Sequence, residues 1–97
     1  MKNKEITKLS PYLFWDIDTN KLDLIGDKHL ILERVFTRGI EKDEILLFSL
    51  YDVKTIKNTV VEIKHFDKKT LNYLSIIFKI PRSKFKCYKN IQFQNHY

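Results

Sequence analysis

The chain is poor in residues that interrupt helices: two glycines, Gly26 and Gly39, and two prolines, Pro11 and Pro81, in 97 residues. With no hairpin turn signals and no period-two alternation, a β-rich architecture is excluded and helices joined by short connections are expected. A single cysteine, Cys87, leaves no internal disulfide to staple the fold. No apolar run approaches the roughly 18 residues that a membrane span needs; the longest, from Ile45 to Tyr51, is far too short. Lys2, Lys4, Glu5 and Lys8 interrupt the N-terminal residues, so nothing there resembles a signal peptide, and together with the lone cysteine this fits a cytoplasmic protein.

Acidic residues are scarce in one half only. Ten of eighteen Lys and Arg residues but three of twelve Asp and Glu lie after Leu50, so the second half carries about +7 and the first about −1. After Lys64, seven basic residues (Lys68, Lys69, Lys79, Arg82, Lys84, Lys86 and Lys89) answer one acid, Asp67. Fifteen lysines against three arginines, twelve isoleucines and no alanine look like the product of an AT-rich coding sequence. A solvated lysine face is the plain explanation of such an excess, but drift alone enriches both halves, so the clustering keeps an anion-binding surface open beside it. A concentrated positive field suits an anionic partner, either nucleic acid or an acidic protein surface.

What is present is enough for one core. Thirteen aromatics and many Ile and Leu residues supply the apolar surface to offset ordering entropy, and the length admits one domain. The expected organisation is a loose segment over residues 1–9, a helical domain over 10–89 and an extended tail over 90–97. Ser10 and Pro11 read as a cap and first position of a short turn through Trp15. A first helix is expected from an Asp27 cap to Arg38, with Leu30, Ile31, Leu32, Val35 and Phe36 inward and Gly39 in the left-handed position past its end. A second, Lys42 to Tyr51, opens with Asp43 and Glu44 at its positive end; it is apolar nearly all round and is expected at the centre of the core or in an oligomer contact, burial being the plainer reading. A third begins at Asp52 and runs to Lys64 on the face Val53, Ile56, Val60 and Ile63. After a turn at His65 and Phe66, Asp67 caps a fourth helix, Lys68 to Lys79, with Leu71, Leu74, Ile77 and Phe78 inward and Pro81 as its stop. The result is an all-α, compact bundle of about four helices in which helices three and four form a helix-turn-helix-like pair.

Lys68, Asn72, Ser75 and Lys79 recur at i, i+4, i+7 and i+11, one stripe of the fourth helix, with Lys69 beside it and Arg82 beyond. In a helix-turn-helix such a stripe enters the major groove, where Asn72 pairs with an adenine edge and the lysines meet phosphates. Tyr73, Phe85 and Tyr88 lie next to the charges and are the candidate anchors for a protein partner. Phe14 and Trp15 are expected to plug one end of the core. Asp16 and Asp18 are too few to hold a metal, and Arg34 is positioned to pair with Asp16. His29, His65 and His96 lack zinc-site spacing. Cys87 sits among lysines that lower a thiol pKa but lacks a general base, and is expected as a solvated thiol. No catalytic residues, metal or cofactor are assigned.

Leu13-Phe14-Trp15-Asp16, Glu33-Arg34-Val35 with Gly39, and Lys69-Thr70-Leu71-Asn72 leading into Ile76-Ile77-Phe78-Lys79-Ile80-Pro81 resemble a group of small uncharacterised bacterial proteins, over roughly Ser10 to Lys89. Members are often encoded beside nucleotidyltransferase-type abortive-infection toxins. The resemblance implies an antitoxin or regulator whose partner is nucleic acid, a cognate toxin-like protein, or both; a homodimer is the expectation of the helix-turn-helix reading, since one such unit alone binds weakly and two-fold sites are the rule.

Overall fold

In the computed structural model, residues 2–89 are described; the expected tail over 90–97 lies outside them. Among the described residues there is no strand, and four α-helices of eight or more residues follow three short 3-10 turns: α1 Lys28–Arg38, α2 Glu41–Leu50, α3 Val53–Val60 and α4 Lys68–Phe78; residues 87–89 are helical as well. The turns are Lys2–Lys8, Pro11–Phe14 and Thr19–Lys21, and a fourth, Arg82–Lys84, follows α4. None of the helices is long and apolar enough to cross a membrane.

α1 is the hub. It packs on α2, α3 and the Pro11–Phe14 turn, because Ile31, Leu32, Val35 and Phe36 recur on its inward side and all are buried. α4 joins through its last turn: the Phe78 ring meets Phe36 edge-on at 6.3 Å and Phe48 at 6.2 Å. Each such pair contributes about 0.5–1.5 kcal/mol beyond the apolar area it buries.

Several expectations are corrected. The segment expected to be loose forms the Lys2–Lys8 turn and sends Ile6 and Leu9 into the core. The second helix is not buried all round: Leu47 and Leu50 face in, while Ile45 is 64% exposed and Phe48 is also exposed. Ile77, expected inward on α4, is exposed as well. α3 stops at Val60, and residues 61–67 connect it to α4, a longer link than the three-residue turn expected. The pattern overreached because Ile63 is buried from outside the helix.

Gly39 is extended, at φ −74° and ψ 162°, not left-handed. It is needed for space: a Cβ there meets the Val35 carbonyl oxygen at 2.5 Å and the Asp43 Cβ at 3.2 Å. The left-handed residue is Lys79, at φ 56° and ψ 43°, the C-cap of α4. The N–H groups of Lys79 and Ile80 both donate to the Ser75 carbonyl, and Pro81 prevents the helix from resuming.

Two polar clamps tie distant segments. The Asp43 carboxylate, fully buried, accepts from the Ser10 N–H at 2.8 Å, from the Ser10 hydroxyl at 2.8 and 3.1 Å, and from the Ile40 N–H at 3.1 Å. Burial pushes this carboxyl up, but the hydrogen bonds from Ile40 and Ser10 outweigh it and hold the group below the usual carboxylate range. Ser10 therefore serves a helix 33 residues away instead of capping its own turn. In the second clamp Arg34 donates to both Asp16 oxygens, at 2.8 and 3.1 Å, and to the Leu13 carbonyl at 2.8 Å.

Candidate nucleic-acid interface

The basic surface is built on α4 and the segment after it. Asp67 starts the helix: its side chain accepts from the Thr70 N–H at 3.2 Å, which fixes the first turn and leaves Lys68 and Lys69 exposed. Asn72, half-buried, accepts from the Arg82 guanidinium at 3.1 Å, so the structure brings these two candidates together. The Asn72 oxygen is thereby occupied, and a bidentate pair with adenine requires Arg82 to let go. Ser75 is no ligand donor in this arrangement, since its hydroxyl donates to the Ile80 carbonyl at 2.6 Å and closes the helix end. Lys79 is exposed at the left-handed cap. A non-glycine residue in that conformation costs on the order of 1–2 kcal/mol, a strain the surrounding cap bonds sustain.

The acids of the second half are engaged within the fold. Asp52 accepts from the Thr55 N–H at 2.9 Å, and its hydrogen bonds with Thr55 hold the carboxyl below its usual range. Glu62 meets His29 Nε2 at 3.1 Å and Asp67 caps α4. Among the described residues, no ion pair engages Lys68, Lys69, Lys79 or Arg82.

The aromatic candidates divide. Tyr73 is exposed and donates to Glu44 of α2 at 2.6 Å; that carboxylate, with partial burial, pushes the phenol up to about 12. Phe85, expected as a partner anchor, is 2% exposed and belongs to the core, and Tyr88 packs half-buried against it. Cys87, expected to be solvated, is fully buried; burial pushes its thiol up, and Asp67 adds to the rise. The neighbouring lysines do not activate it.

In the N-terminal third, Phe14 is buried but Trp15 is 76% exposed, so only one of the two rings plugs the core. Asp16 is taken by Arg34, which holds its carboxyl below the ordinary range, and Asp18 caps the Thr19–Lys21 turn by accepting from the Asn20 N–H. Among the described residues, no three His, Cys, Asp or Glu side chains converge as metal ligands. His29 and His65, far apart in sequence, line one shallow cleft with Glu33 and Glu62.

No curated protein and no solved structure matches the chain. A family of unknown function (DUF6922) matches residues 9–60, from the last residue before Ser10 to the end of α3. That span holds Leu13-Phe14-Trp15-Asp16, Glu33-Arg34-Val35 and Gly39 together with both polar clamps; Lys69 to Pro81 and the rest of the basic surface lie beyond it. The matched residues are more than half of the sequence, and the chain belongs to this DUF6922 family.

Proposed function

We propose that this chain is a small non-enzymatic binding protein of the antitoxin or transcriptional-regulator type that holds nucleic acid on its basic C-terminal half. The observation that carries this reading is the pairing of charges there. Asp52, Glu62 and Asp67 are spent on two caps and a histidine, and among the described residues Lys68, Lys69, Lys79 and Arg82 are exposed with no carboxylate in an ion pair with them. Such groups release counterions when they meet phosphates, and that supplies sequence-independent affinity. The seven-residue link before α4 and the engaged Asn72 oxygen favour backbone contact over major-groove reading of adenine. The toxin-linked, bacterial setting is supported by the resemblance of the Leu13–Asp16 and Lys69–Pro81 segments. Fluorescence titration with random and promoter-derived duplexes over a salt series tests the proposal: affinity should fall steeply with salt, and no binding at low salt removes nucleic acid from the account.

A second reading is favoured by a separate observation. Ile45 and Phe48 on α2 and Tyr73, Ile76 and Ile77 on α4 are exposed, with Ile76 at 75%. The Tyr73–Glu44 bond and the Phe48–Phe78 contact set these two helices side by side. Exposed apolar side chains on adjacent helices suit a protein partner such as a cognate toxin, or a second copy. Co-expression with the product of the neighbouring gene discriminates: a stoichiometric complex free of nucleic acid favours this reading.

A further inference from the structure

We propose that a lysine-lined cleft between the loop after α3 and the segment after α4 seats a phosphate group of the nucleic-acid backbone. This rests on the nucleic-acid reading above and gives it a place that the α4 stripe alone does not supply.

The cleft has a volume of about 410 Å³ and is lined by Lys64, Ser83, Lys84, Phe85, Lys86 and Lys89. Its construction follows from a short alternation in the chain. Phe85 and Cys87 turn into the core, so Lys84 and Lys86 between and before them turn out. The Lys86 N–H donates to the Val61 carbonyl at 2.9 Å, which fastens this segment to the loop carrying Lys64. The Phe85 N–H to Arg82 carbonyl bond and the Tyr88 N–H to Phe85 carbonyl bond curl the chain so that Lys89 completes the rim. Four ammonium groups contributed by two separate segments thus line one concavity, and no acidic residue is among its described lining residues.

The chemistry of that lining selects the ligand. Ammonium groups lining one cleft, Lys84, Lys86 and Lys89 from a single segment, repel a metal cation and attract an anion. Lysine ammoniums carry three donors each and Ser83 adds a hydroxyl, a set that suits the several acceptor oxygens of a phosphate. Among the described lining residues the one aromatic ring, Phe85, is buried in the core and offers no face for a base to stack on. The volume lies low in the roughly 300–1,000 Å³ range of ligand clefts. Continuity favours a polymer as the source: Ser83 follows Arg82 directly, and Arg82 is fastened to Asn72, so a backbone lying along α4 runs into the cleft.

The test compares the full chain with two variants, Lys64→Gln/Lys84→Gln/Lys86→Gln/Lys89→Gln in the cleft and Lys68→Gln/Lys69→Gln on α4, by anisotropy of a labelled 20-base-pair duplex over a salt series. The cleft variant should bind at least tenfold more weakly at low salt and lose about 1 from the log-log salt slope for each phosphate contact removed. Titration of labelled wild-type chain with inorganic pyrophosphate should shift the backbone amides of residues 83–86. If the wild type binds duplex and the cleft variant matches its affinity and slope, the cleft assignment falls while the nucleic-acid reading stands. If the wild type binds no duplex but pyrophosphate shifts those amides, both the backbone assignment and the reading beneath it fall. Binding to phosphatidylserine vesicles that the cleft variant loses, with duplex binding intact, also overturns the assignment. Should the fourfold variant fail to fold, Lys84→Glu alone carries the same comparison.

Discussion

The two parts of this molecule use charge in opposite ways. Over residues 9–60, which the family match covers, charged and polar side chains reach across the fold: Asp43 to Ser10, Arg34 to Asp16, Tyr12 to the Arg38 carbonyl and Tyr51 to the Leu24 carbonyl. Over residues 61–89 Tyr73 and Glu62 also reach across, to Glu44 and His29, but Asp67, Ser75 and Arg82 bond locally, to Thr70, Ile80 and Asn72, and Lys68, Lys69 and Lys79 are left outward. Charge that no internal contact uses is charge available to a ligand. The difference predicts that substitutions in the first region change stability and that charge substitutions in the second change binding.

The largest effect is expected at Asp43. Asp43→Ala leaves the N–H groups of Ser10 and Ile40 and the Ser10 hydroxyl unpaired in the interior, and should cost about 3–5 kcal/mol, read from urea unfolding. Because its folded pKa is depressed, this carboxylate contributes fully above its unfolded value of about 3.9, and the contribution is lost as pH falls through the folded value. Wild-type stability should therefore drop below about pH 4, and Asp43→Asn should flatten that acid limb. An unchanged acid limb in Asp43→Asn would detach the buried clamp from the first region's stability.

Gly39 comes next. Gly39→Ala brings a methyl against the Val35 carbonyl in a backbone that any residue adopts, so the cost is steric, about 2 kcal/mol by calorimetry. A neutral result would mean that α2 shifts away from α1 without penalty, and the first region would be looser than its clamps suggest.

These two positions also show what a sequence discloses. Asp52 and Asp67 were legible as caps, since each bonds an N–H three residues on and needs nothing distant. The α1 stripe and the Pro81 stop were legible for the same reason. The Ser10–Asp43 clamp was not, because it joins residues 33 apart and each has a sufficient local explanation. Glycine is the usual sign of a left-handed cap, so the sequence points to Gly39, while the left-handed residue is Lys79, whose identity carries no such sign. In the Lys2–Lys8 turn the only signals are Ile6 and Leu9, too few for a periodicity. The candidate site was half legible. The charge was plain, but the convergence of Lys64 on Lys84, Lys86 and Lys89 depends on the Lys86 to Val61 bond, and its one local sign was the alternation of apolar Phe85 and Cys87 with lysines.

Lys79 tests whether the basic region carries strain that its own fold does not require. Lys79→Gly removes the Cβ from a left-handed backbone and should stabilise the protein by about 1 kcal/mol, while weakening duplex binding through the lost charge. Opposite signs in the melting and binding measurements would sharpen the contrast between the regions. Destabilisation on substitution to glycine would show that the lysine stem makes contacts the cap needs.

The smallest stability effect is the most discriminating. Lys64→Gln/Lys84→Gln/Lys86→Gln/Lys89→Gln removes four charges from one cleft, yet the backbone bonds that shape the cleft, Lys86 N–H to Val61 and Tyr88 N–H to Phe85, are unaffected by side-chain identity. Phe85 and Cys87 keep their places in the core. Unfolding free energy should then change by less than about 0.5 kcal/mol, as expected of substitutions at exposed side chains. A loss of 1 kcal/mol or more would mean that the lysine stems pack as structure, and the division between a self-paired first region and a ligand-facing second would not hold. A stable variant with weakened binding would locate the work of those charges outside the folded chain.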